Sequence, residues 1–156
     1  MRVVVDASPL IALDRIGCLH LLRDLYDLVV RPQSVLNELL AGQERCALSP
    51  QLIASSWILT EPDPPEMVLR KELGAGETAA VTLALKTQAD LVVLDDLQAR
   101  LVAAGLGLRV TGTLGILAAA HRRGLLADLA AALSALQQAG FHVTPELIAR
   151  MKATEV

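Results

Sequence analysis

The sequence predicts an α/β domain built on a parallel sheet of about five strands, with helices over both faces. Two hydrophobic runs, Val3-Val4-Val5 and Leu91-Val92-Val93-Leu94, are apolar at every position rather than at alternate ones, the pattern of strands buried on both sides. Strand-like segments alternate with helical ones along the chain, as parallel crossover units require. A length of 156 residues and a hydrophobic content of 53% suit a single domain, residues 1–156, with a sizeable core.

In chain order, strands are expected at Val3–Val5, Leu28–Val30, Trp57–Leu59, Leu91–Leu94 and Leu108–Val110. Between the first two, Leu10 to Leu25 carries helical apolar spacing broken near Gly17. Pro32 opens a second helix, where its missing N–H costs nothing, and Gly42 ends it. Apart from the Trp57 strand, Gln43 to Pro65 is rich in Pro, Ser and Asp and reads as loop. Ala and Leu spacing predicts helices from Gly76 to Lys86 and from Gln98 to Ala104, both packed on the sheet. After Val110 the chain reads as nearly all helix: Thr113 to Arg123, Leu126 to Ala139, and a last helix starting at Pro145 behind Thr144 as N-cap.

Composition narrows the function. A net charge of −3 argues against holding nucleic acid by bulk electrostatics. Aromatic residues are only 2% of the chain, Tyr26, Trp57 and Phe141, which is too few for a base-stacking platform. No apolar stretch approaches the roughly 18 residues of a membrane span, and no basic, then apolar, leader precedes the first strand. A soluble, cytoplasmic protein without a membrane partner is expected. Cys18 and Cys46 lack metal or redox spacing and read as reduced structural residues.

Five carboxylates stand where carboxylates are least expected: Asp6 after the first strand, Asp95 and Asp96 after the fourth, and Glu38 and Glu77 among apolar helix residues. Acids at the carboxyl ends of parallel strands point into the crevice where open α/β sheets bind ligands. Each has a plainer explanation. Asp6 could cap the following helix, Glu38 could be a solvated residue at the edge of the face formed by Val35, Leu36, Leu39 and Leu40, and Glu77 could complement a helix dipole. Only one of two adjacent acids can cap, so Asp95-Asp96 resists that explanation. Taken jointly, the acids would repel one another unless a cation compensated them, and oxygen ligands suit Mg2+ or Mn2+. Two such ions about 4 Å apart stabilise the attacking water and leaving oxygen of an in-line phosphodiester displacement.

Other chemistries find less support. His20, His121 and His142 lie on different elements without ligand spacing. Gly74-Ala75-Gly76 lacks the Gly-Lys-Ser/Thr of a phosphate loop, no GxGxxG follows Val5, and Ser8 has no GxSxG context. A phosphoreceiver would carry its Asp pair after the first strand and a Lys after the fifth; here the pair follows the fourth strand and the Lys is missing. Arg109 and Arg122-Arg123 could hold a phosphate backbone or simply be solvated at helix ends.

Asp6 in VVVDASPLIAL, Glu38 in PQSVLNELL, Glu77 in GAGETAAVTLAL and the acids of DLVVLDDLQARLVAAGLGLRVTGTLGILAAAHRRG together resemble the PIN-like domain, in its bacterial and archaeal branch of predicted nucleic-acid-binding proteins. The likeness runs nearly end to end. It implies a three-layer α/β/α fold and an acidic pocket for Mg2+ or Mn2+ that, in relatives such as the VapC toxins of toxin-antitoxin pairs, cleaves RNA. Carried over by position, Asp6, Glu38, Glu77 and Asp96 become the catalytic, metal-holding acids. Asp95, where many relatives have Asn, joins them as a further metal acid, and Ser8 and Arg122 become substrate contacts. Leu94 departs from the pattern, standing where toxin relatives often carry Thr or Ser. RNA, an antitoxin protein and a second copy of the chain are the partners implied. The alternative is an inactive PIN-like module that binds RNA or a partner protein.

Overall fold

A computed structural model describes residues 1–43, 45, 47–65, 73–146 and 148–149. Its centre is a five-stranded, all-parallel sheet in the order β3-β2-β1-β4-β5. The strands are β1 (Arg2–Val5), β2 (Leu28–Pro32), β3 (Ile58–Glu61), β4 (Leu91–Val93) and β5 (Val110–Thr111). Around them lie α1 (Ala7–Arg15), α2 (His20–Leu25), α3 (Gln33–Gly42), α4 (Pro50–Ala54), α5 (Ala75–Lys86), α6 (Leu97–Gly105), α7 (Thr113–Arg122) and α8 (Leu129–Gln138).

The unbroken apolar runs follow from two cores, one on each face. Val3 and Val5 of β1 point into a core with Leu10 and Leu13 of α1, Leu22 of α2, and Leu117 and Leu133 of α7 and α8. Between them Val4 points the other way, into a core with Val92 and the small residues Ala80, Ala84, Ala99 and Ala103 of α5 and α6. A strand whose neighbours alternate between two cores has no polar side to show. The alanines let α5 and α6 lie close on the sheet, and all three residues of β4 are buried.

Differences from the expected elements have local causes. Within the Gln43–Pro65 stretch expected as loop, α4 forms because Ser49 caps it, accepting from the Leu52 N–H at 3.3 Å, with Pro50 at its first position. Buried Arg31 of β2 satisfies the end of that short helix, donating to the Leu52 carbonyl at 2.6 Å and the Ile53 carbonyl at 2.8 Å. Pro32 ends β2 and flanks α3 in extended conformation rather than opening the helix. The third strand starts at Ile58 instead of Trp57. Leu108 closes the turn after α6, its N–H bonded back to the Ala103 carbonyl at 3.1 Å across Gly107 at φ +86, so β5 begins only at Val110. Asp128 accepts from the Ala131 N–H at 2.9 Å and delays α8 to Leu129. A helical turn does start at Pro145, with the Ile148 N–H on the Thr144 carbonyl at 3.1 Å. Cys18 is buried and free; Cys46 lies outside the described residues. No helix among the described residues is long and apolar enough to cross a membrane.

Candidate metal centre

The order of the strands locates the site. From β1 the chain proceeds outward to β2 and β3, then returns to the other side of β1 as β4, so the direction of winding reverses between β1 and β4. At such a switch point the connections leave in opposite directions and open a crevice beyond the strand ends. The parallel register Val3–Leu91, Val4–Val92, Val5–Val93 places Asp6 beside Leu94, directly before Asp95 and Asp96, and the Asp6 N–H donates to the Val93 carbonyl at 3.1 Å.

Asp6 is the innermost acid, 5% exposed. It occupies the N-cap position of α1, yet its side chain makes no capping hydrogen bond. Among the described residues its Oδ1 is buried without a hydrogen-bond partner, an arrangement that folded proteins seldom leave unexplained. Burial raises its pKa to about 7; the charges of Glu38, Glu77 and Asp95 push the same way, and the Ala7 N–H opposes them.

The remaining acids surround it and are held individually. Glu38 is exposed on α3, where Leu40 is exposed too, narrowing the expected buried face to Val35 and Leu39. Its Oε1 accepts from the Gly76 N–H at 2.9 Å, which joins α3 to the first turn of α5. Glu77, half-buried one residue on, is raised by burial and by Asp96 and Glu38, while the Gly74 N–H pulls it down. Asp95 accepts twice from Thr113, from its N–H at 2.7 Å and its hydroxyl at 2.6 Å. Asp96 caps α6, its Oδ2 accepting from the Ala99 N–H at 2.9 Å. Capping therefore accounts for a bond of Asp96 and fails for Asp6.

All five sequence-predicted acids thus come together as one charged group at the switch point. They are not drawn into a closed ligand set: among the described residues no three His, Cys, Asp or Glu side chains are gathered tightly enough to hold an ion as they stand. The donor chemistry nonetheless fits a hard divalent cation, being all carboxylate oxygen with one buried oxygen unpartnered.

Ser8 lies exposed in the first turn of α1, within two residues of Asp6. Arg122 does not reach the crevice. It ends α7, whose first residue holds Asp95, and ten helical residues carry it toward the opposite end of the strands, where it acts with Arg123 and Arg109 on Tyr26. An arginine at the far end of a helix that starts at the site faces away from it, which corrects the expectation that Arg122 contacts substrate there. Sequence reasoning missed Gly76, Gly112 and Thr113 as the residues that position acids. A Cβ on Gly76 would overlap the Glu38 carboxylate, and one on Gly112 would come 2.8 Å from Asp95 Oδ1. Their only signal was glycine next to an acid or before a helix-starting Thr.

Compared with known families, the sequence matches the PIN domain over residues 2–154. The chain belongs to the PIN-domain family. Among solved structures, this PIN domain is similar to a PilT N-terminus domain protein from the hyperthermophilic archaeon Sulfolobus solfataricus P2. The TM-score is 0.58 at 14% identity, covering 76% of this chain and 92% of the other, a likeness of fold. No curated protein matches it. The PIN domain has a nuclease-like three-layer fold, helices covering both faces of its parallel sheet.

Proposed function

We propose that this PIN domain is a metal-dependent ribonuclease, using Mg2+ or Mn2+ held by Asp6, Glu38, Glu77, Asp95 and Asp96 to hydrolyse RNA phosphodiester bonds. The observation that carries this is Asp6, a buried carboxylate with an unpartnered oxygen at the switch point and four more acids around it. When bound, the cation supplies charge to the phosphate oxygens and acidity to water. The protein's own residues prepare for it. Thr113 fixes both oxygens of Asp95, the Gly76 N–H orients Glu38, and the Ala99 N–H holds Asp96. Asp6, holding its proton up to about pH 7 without metal, would bind the cation as the carboxylate. Glu77, whose pKa burial and the Asp96 charge push upward, is suited to take the proton of the attacking water.

Calorimetric titration of Mn2+ into the parent, Asp6→Asn and Asp95→Asn, followed by incubation with a mixed-sequence single-stranded RNA, tests the proposal. Binding and cleavage by the parent, both lost in the variants, are expected; cleavage that survives in Asp6→Asn would overturn it. The toxin version further expects growth arrest on expression, relieved by the same substitution. A second reading, a non-catalytic module that binds RNA or a protein, is favoured by the open spacing of the acids. It gains if Mn2+ fails to bind.

A further inference from the structure

Beside the acids, between α1, α6, α7, α8 and the segment after α8, lies a cavity of about 360 Å³, within the roughly 300–1,000 Å³ of small-ligand pockets. Of the five acids Asp95 forms part of its lining, so it borders the acidic crevice. Its walls are mainly apolar, from Ala12, Leu136, Phe141 and Val143. Arg100 of α6 and His142 also line it, and Arg100 Nη1 lies 3.2 Å, and Asp95 Oδ1 2.8 Å, from where a Cβ on Gly112 would be. Among the described residues the Arg100 guanidinium makes no hydrogen bond and no ion pair.

Resting on the nuclease reading, we propose that this cavity receives the base of the nucleotide next to the attacked phosphate and prefers guanine. The apolar walls take the faces of a flat ring. A neutral base also avoids the repulsion that a second phosphate would meet beside Asp95. The unpartnered guanidinium offers a fork of donors, and a guanine edge presents two adjacent acceptors, O6 and N7, that match it; adenine presents a donor in place of one. With the base lodged there, the attached backbone leads out past Asp95 to the other acids.

The test uses inosine, which carries the same O6/N7 edge, and adenosine, with binding followed by ligand-observed NMR on metal-free protein. The expected result is inosine binding about tenfold tighter than adenosine, near the lower end of what a bidentate arginine contact discriminates. Arg100→Gln and Arg100→Lys should each remove the preference, since lysine keeps the charge and lacks the fork, while Mn2+ binding stays as in the parent. No nucleoside binding, equal binding of the two, or a preference that survives in a folded Arg100 variant would each overturn the pocket. Such an outcome together with intact Mn2+ binding leaves the metal site standing; loss of Mn2+ binding in the parent speaks against the nuclease itself.

Discussion

Asp6 shows how a single residue sets function against stability. An unfolded chain holds its carboxyl proton only below the usual aspartate range, near 3.8, whereas the folded protein holds it up to about 7. Between these values the native state binds more protons, so without metal stability falls as pH rises from about 4 to about 7 and then levels off. Over that window the loss is on the order of 4 kcal/mol. Asp6→Asn keeps the shape without the charge. At pH 8 in chelator it should melt about 5 °C or more above the parent, and the difference should vanish near pH 4. Thermal melts across pH check this, and an unchanged melting temperature at pH 8 would mean that the carboxylate is not under strain. Asp6 was legible from sequence only together with Asp95-Asp96, since alone an acid after a strand reads as a helix cap. Thr113 was not, because the partner it serves lies 18 positions earlier and only the adjacency of β4 and β5 brings the two together.

At the scale of elements, the approach of α3 to α5 depends on a residue with no side chain. Gly76 is buried in the first turn of α5 against the Glu38 carboxylate, which is the closest thing on its open side. Gly76→Ala should therefore push Glu38 away and lose its hydrogen bond. The obstruction is the end of an exposed, flexible side chain, so the fold should stay within about 1 kcal/mol of the parent, alanine also being the better helix former. Mn2+ affinity should drop about tenfold, the effect of ~1.4 kcal/mol at one of several acids. Calorimetry and a denaturant titration separate the two effects; equal losses in both would show general damage. Elements as wholes were the most readable part of the sequence, since alternation of apolar runs and helical spacing reports burial directly. α4 was hidden because the same Ser49-Pro50 pair that starts it also marks loops, and the arginine that finishes it comes from another strand.

Across the whole molecule the two cores do different work. One is built of Leu from α1, α2, α7 and α8 against Val of the strands; the other closes α5 and α6 tightly onto the sheet through alanine. Both meet at β1 and β4, whose ends carry the acids, so the folded state gathers negative charge where both cores hold it rigid. A divalent cation should then act as a structural brace as well as a reagent. Mn2+ at a hundred times its dissociation constant should stabilise the protein by about 2.7 kcal/mol, roughly 5–10 °C in melting temperature, and more at pH 8 than at pH 5, where Asp6 keeps its proton. Melting curves that ignore Mn2+ at both pH values would contradict a shared site. The strand order has one more consequence, for synthesis. β1 leaves the ribosome first but completes its pairing only with β4, after β2 and β3 have already emerged. A nascent chain can assemble β3-β2-β1 with Asp6 and Glu38 in place and still lack Asp95, Asp96 and the helix that carries Thr113. Its acids become one centre only once β4 and α7 have followed, so a chain that stops short of Thr113 carries half of a blade.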